Sequence, residues 1–136
     1  MTSYIWGMRH LASFLLSLFL FACGSALAQD TFSIVAVDLA SGQVGSAGAT
    51  CLDDNQIAGG AVIISDVIPD IGAIHTQSYW IPANQNAAHD QVVDNGLSPE
   101  ALMAWLEEND AENNPAVRQY GMADLVSGVA RAAAFT

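Results

Sequence analysis

Residues able to do chemistry are sparse in these 136 residues, and the densest set lies in Gly72 to Tyr79, GAIHTQSY. Strand alternation puts Ala73, His75, Gln77 and Tyr79 on one face and Gly72, Ile74, Thr76 and Ser78 on the other. Polar side chains on both faces near the end of a strand are typical of one whose end lines a site. His75 has no second histidine at ligand spacing, which argues against zinc, and a lone strand histidine is more often hydrogen-bonded locally than catalytic. His89 falls on a predicted helix instead. Asp53 and Asp54 are adjacent acids without the D-x-D-x-D-G order of a calcium loop, so they read as a solvated loop. Cys51 has no basic neighbour to lower its thiol pKa and reads as a small buried residue. No Gly-rich phosphate loop, G-x-S-x-G elbow or metal-ligand cluster occurs, so neither a cofactor nor a metal is expected.

The elements around that strand follow from local patterns. Thr31 to Thr50, TFSIVAVDLASGQVGSAGAT, reads as a hairpin: Phe32, Ile34 and Ala36 alternate with Thr31, Ser33 and Val35, and Asp38 to Gly42 supplies turn chemistry. The return strand is rich in Gly, Ala and Ser, which implies close approach of another backbone or a ligand. Gly59-Gly60 breaks into Ala61 to Ile64, a β-branched run expected to be a buried strand, and Asp66 to Asp70 with Pro69 is expected to turn. Pro82 to Asn95 reads as a helix closed by Gly96. Ser98-Pro99-Glu100 caps a second helix that buries Ala101, Leu102, Trp105 and Leu106 and ends in a solvated acidic connector, Glu107 to Asp110. A short helical turn near Pro115 then leads to the strand Gln119–Leu125, and Ser127-Gly128 turns into Val129–Phe135. The predicted order β-β-β-β-α-α-β-β is an α+β fold.

Charge and the N-terminus bound the setting. The chain has 14 acidic residues against three Arg and no Lys, a net charge of −11, which repels phosphates and disfavours nucleic acid and anionic lipid as partners. Residues 1–28 have the form of a secretory signal, with Arg9 and His10 before the apolar run Leu11–Ala22 and a small-x-small site at Ala26-Leu27-Ala28. The alternative is a lipobox, Leu20-Phe21-Ala22-Cys23, in which case lipidated Cys23 would tie the protein to a membrane. Either route exports the protein to the periplasm or the exterior of a bacterium and leaves residues 29–136 as one domain.

TFSIVAVD, SGQVGSAGAT, GAIHTQSY, GLSPEALMAWL and the terminal AAAFT, in that order, resemble the family catalogued as domain of unknown function 1028, grouped with the N-terminal-nucleophile (Ntn) hydrolase-like folds. The resemblance spans Thr31 to Thr136 and implies a four-layer α-β-β-α sandwich. Resembling proteins continue past the end of VARAAAF with further strands and a helix, so the chain is expected to be incomplete at its C-terminus. The resemblance nominates Thr31 as nucleophile, its own α-amine serving as base at a pKa of about 8. Thr76, Gln77 and Ser78 are then the candidates for oxyanion stabilisation, and Asp38 for orienting a nearby loop. Cleavage after Ala28 would leave Gln29-Asp30 ahead of Thr31, so the amine needs a further trimming step. Two functions are expected on this basis: an exported amidohydrolase acting on a small-molecule or peptide-like substrate, or a noncatalytic cell-envelope binding or structural domain on the same scaffold.

Overall fold

The computed structural model describes residues 31–53 and 55–136; the signal segment, Cys23 and Asp54 lie outside these. Strands β1 (Thr31–Val37) and β2 (Val44–Thr50) form a two-stranded antiparallel sheet, registered from Thr31 opposite Thr50 to Val37 opposite Val44. The turn fixes that register. Asp38 accepts from the Ala40 amide at 2.9 Å and from the Ser41 hydroxyl at 2.6 Å, while Gly42 takes a φ of 72°. The Ser41 hydroxyl first, and then the Ala40 amide, hold the Asp38 carboxyl below the usual carboxylate range.

The chain between the hairpin and the second sheet departs from expectation. Ala61–Ile64 is not a buried strand: Gly60–Ile64 is a 3-10 helix, Val62 is 71% exposed and only Ile64 is buried. Gly59 and Gly60 both have positive φ, at 91° and 55°, and curl the chain before it can extend. Extension begins four residues later than expected, so β3 is Ser65–Ile68 and the turn contracts to the residues around Asp70, whose φ is 63°. Cys51, expected to be buried, is exposed in the loop after β2.

Strands β3, β4 (Gly72–Gln77), β5 (Gln119–Val126) and β6 (Val129–Phe135) form a four-stranded antiparallel sheet in sequence order. Two helices, α1 (Pro82–Val93) and α2 (Pro99–Glu108), cover one face of it. Ser98 caps α2 by accepting from the Ala101 amide at 3.3 Å, with Pro99 following it. The buried stripe of α2 is Leu102, Met103 and Leu106; Ala101 is exposed and Trp105 only half-buried. These side chains meet Ile68, Ile74, Tyr120 and Met122 from the sheet and Ala88 and Val92 from α1 to form the core. The hairpin lies on the opposite face, β1 over β4 and β5, and β2 over β3 and β4. Its larger side chains point away from the sheet, leaving Phe32 and Ile34 exposed, whereas Thr31, Ser33 and Val35 face inward. Gly48 is the position where small size is required, because a Cβ there would meet the Ile64 side chain at 3.2 Å. The described chain is therefore an α+β domain of three layers: helices, four-stranded sheet and hairpin.

Candidate functional site

A cleft of about 540 Å³ opens where the start of β1 crosses the end of β4. Thr31 and Thr50 form its floor at the open end of the hairpin, with hydroxyl oxygens 2.9 Å apart. Gln77, Ser78, Tyr79 and Trp80 form one wall; Leu52, Ile57 and Ile64 form an apolar wall opposite. Gln77 Nε2 donates to the Thr31 carbonyl at 3.4 Å and to Gln119 Oε1 at 2.9 Å, while Gln77 Oε1 is buried without a partner. Among the described residues no charged side chain lines this cleft.

The polar wall owes its shape to strained backbone. Ser78 and Tyr79 are consecutive non-glycine residues with positive φ, 59° and 49°, conformations that cost on the order of 1 kcal/mol each and persist only where surroundings enforce them. They also break the strand alternation. Continued extension would have placed Ser78 on the face of Thr76; the left-handed turn brings it beside Gln77 in the cleft instead.

What enforces the turn is a buried network behind it. Arg118, 2% exposed, donates Nη1 to the Tyr79 carbonyl, Nε to Asp110 Oδ2 at 3.0 Å and Nη2 to Glu112 Oε2 at 2.5 Å. Asp110 also accepts from Asn84 Nδ2 at 2.6 Å and from the amides of Glu112 and Asn114, each at 3.0 Å. Burial alone would raise the Asp110 pKa, but the Asn114 amide, Arg118, Asn84 and the Glu112 amide outweigh it and hold the carboxyl well below the usual range. Tyr120, receiving Asn84 Nδ2 at 2.6 Å, is pushed up to about 12 by burial and then by the Asp110 charge, and so stays neutral. The connector Glu107–Asp110, expected to be solvated, ends in a carboxylate that is 5% exposed.

Of the residues singled out from sequence, Thr31, Gln77 and Ser78 come together in the cleft. Thr76 does not line it. Its side chain shares the face of Ile74 toward the helices and is 2% exposed, with an unpartnered hydroxyl. Asp38 sits in the turn at the opposite end of β1, bound to its own loop. His75 is 2% exposed beneath the hairpin, with neither ring nitrogen partnered, and burial lowers its pKa. His89 pairs with Asp66 at 2.8 Å on the helix face. Among the described residues no group of three His, Cys, Asp or Glu is placed to hold a metal ion, and no helix is long and apolar enough to cross a membrane.

Sequence reasoning missed Thr50 and the Asn84–Asp110–Arg118–Tyr120 network. Thr50 was accessible in principle, because a hairpin closed by Asp38 to Gly42 fixes its partner as Thr31. The network was not, because its members are as far apart as Asn84 and Tyr120, 36 positions along the chain. The description "Family of unknown function (DUF1028)" belongs to the family that matches residues 31–136. No curated protein and no solved structure matches the chain.

Proposed function

Since the chain belongs to the DUF1028 family over residues 31–136, and that family's description assigns no activity, we propose from the cleft itself that this is an exported Ntn-type amidohydrolase with Thr31 as nucleophile. The observation that carries the reading is the Thr31 hydroxyl at the floor of a cleft whose wall presents Gln77 and Ser78. Thr31 Oγ1 attacks the carbonyl carbon of a peptide-like amide, and the α-amine of Thr31, freed by removal of the residues before it, takes the hydroxyl proton. The Ser78 hydroxyl, and Gln77 Nε2 once it gives up its 3.4 Å bond to the Thr31 carbonyl, are the groups that would meet the developing oxyanion. The C–N bond breaks, the amine leaves with the proton, and water hydrolyses the ester on Thr31. Thr50 Oγ1, 2.9 Å away, orients the nucleophile. The helix layer, four-stranded sheet and hairpin, in that order, support a four-layer α-β-β-α scaffold.

A second reading, a noncatalytic envelope-binding domain on the same scaffold, draws on the apolar wall that Leu52, Ile57 and Ile64 give the cleft. One experiment separates the two. The mature N-terminus is sequenced and hydrolysis of an amide panel is compared for the natural chain and Thr31→Ala. A chain beginning at Thr31, with activity falling on the order of 10⁴-fold in the variant, is the expected outcome. A mature chain that begins at Gln29 or at an acylated Cys23 leaves the nucleophile without its base and selects the binding domain.

A further inference from the structure

The loop after β2 is wound so that its apolar side chains meet the Thr31 hydroxyl. Leu52 donates its amide to Thr50 Oγ1 at 3.2 Å, and Thr50 Oγ1 is itself 2.9 Å from Thr31 Oγ1. The backbone of Leu52 is thereby tied to the hydroxyl pair on the cleft floor, and its side chain lines the cleft from there. The chain then turns back at once. The Asp53 carbonyl accepts from the amides of Gln56 at 3.0 Å and Ile57 at 2.9 Å. The Asp53 carboxylate accepts from the amides of Asn55 at 3.0 Å and Gln56 at 3.1 Å. This acid is thus engaged by the loop's own backbone and is exposed, while Ile57 returns to the cleft beside Leu52. Buried Ile64 completes the wall.

Across the cleft stands Trp80. Its indole Nε1 donates to Gln85 Oε1 in α1 at 3.0 Å, which commits the ring's one polar atom to the helix and leaves its hydrocarbon to line the cleft. Three aliphatic side chains on one wall and an anchored indole on the other make an apolar slot alongside Thr31. A carboxylate or ammonium buried among these four side chains would be stripped of water and gain no partner from them, whereas an aliphatic group is favoured there.

Resting on Thr31 as the nucleophile, we propose that the substrate is an uncharged amide carrying a leucine-sized aliphatic side chain next to the scissile bond. That side chain sits between Leu52 and Ile57 on one side and Trp80 on the other. The slot is built before the ligand arrives, since hydrogen bonds fix the Leu52 backbone, the return to Ile57 and the Trp80 ring. Little ordering is then left for binding to impose. N-acetyl-leucine amide has the required form, because its side chain is flanked by an amide on each side. One water cleaves either bond: the terminal amide gives ammonia and N-acetyl-leucine, the other gives acetate and leucine amide.

The probes are N-acetyl-leucine amide and its glycine, aspartate and lysine counterparts, which share both amides and differ only in the side chain between them. Binding is measured by calorimetric titration of the exported Thr31→Ala chain, and hydrolysis by release of ammonia or acetate from the exported natural chain. The leucine amide should bind and react at least about 10-fold better than the glycine amide, and the two charged amides no better than glycine. Leu52→Ala should cut the leucine preference about 10-fold. Val62→Ala, exposed on the 3-10 helix and outside the cleft, should leave it unchanged. If Leu52→Ala fails to fold, Ile57→Ala takes its place, and the ranking of the four probes decides without either variant. Equal binding of the four, no binding of any, or tighter binding of a charged one overturns the proposal, even if Thr31 proves to hydrolyse amides. Leucine-selective binding with no hydrolysis of any probe upholds the aliphatic ligand and overturns Thr31 as nucleophile instead.

Discussion

Asp110 is the buried carboxylate that makes a buried arginine tolerable. Its folded pKa lies below the unfolded value of about 3.9, so its contribution to stability is present in full above that pH and drains away as acidification protonates it. Asp110→Asn should cost about 3–5 kcal/mol at neutral pH, since Arg118 is then left buried with only Glu112, itself largely exposed, as a charged partner. Urea denaturation at pH 7 and near pH 3 checks this: the variant falls well below the natural chain at pH 7, and the gap narrows toward pH 3. His75 is a different kind of buried titratable group. Burial lowers its pKa and it has no charged partner, so it favours the fold only while neutral and weakens it as pH falls below about 6.5.

The elements differ in how openly the sequence declares them. The first hairpin, α2 and the Ser127-Gly128 turn are legible because their determinants are local: an Asp and a Gly in one turn, a Ser-Pro cap, two consecutive residues at φ of 54° and 77°. Strand β3 is not legible, because Ala61–Ile64 has the stronger apolar run while Ser65–Ile68 has the pairing partner, His75 to Gly72. The cleft is legible only in part. Thr31 and Gln77 could be named from sequence, but Asp110 reads as one more acid after an acidic helix end until Asn84 and Arg118 are brought to it in space. Gly72 is a similar case. It looks like an ordinary turn-flanking glycine, yet a Cβ there would stand 2.3 Å from the Ala123 carbonyl and 2.8 Å from the Asp124 Cα, both backbone atoms that cannot swing aside. Gly72→Ala should therefore force β4 and β5 apart and cost at least about 1–3 kcal/mol, read as a lowered midpoint of thermal unfolding.

At the scale of the molecule, the net charge of −11 sits on a chain whose described residues form one layer of helices over a small core, so self-repulsion is a sizeable fraction of a marginal balance. The thermal midpoint should rise between low and moderate salt; a midpoint indifferent to salt would mean the acids are too dispersed to matter. Against that repulsion stands one feature of unusual reach. The Arg118 guanidinium joins the loop after α2, the start of β5 and the turn that forms the cleft wall, and through Asp110 it also reaches Asn84 in α1. Parting the loop after α2 from the start of β5 strands a buried charge, and parting the turn or α1 from them leaves a buried hydrogen-bonding group of the network without its partner. The Ser78–Tyr79 wall of the cleft and the hydrophobic core are therefore expected to unfold together, so that heating should show one midpoint whether the probe sits in that turn or in the core.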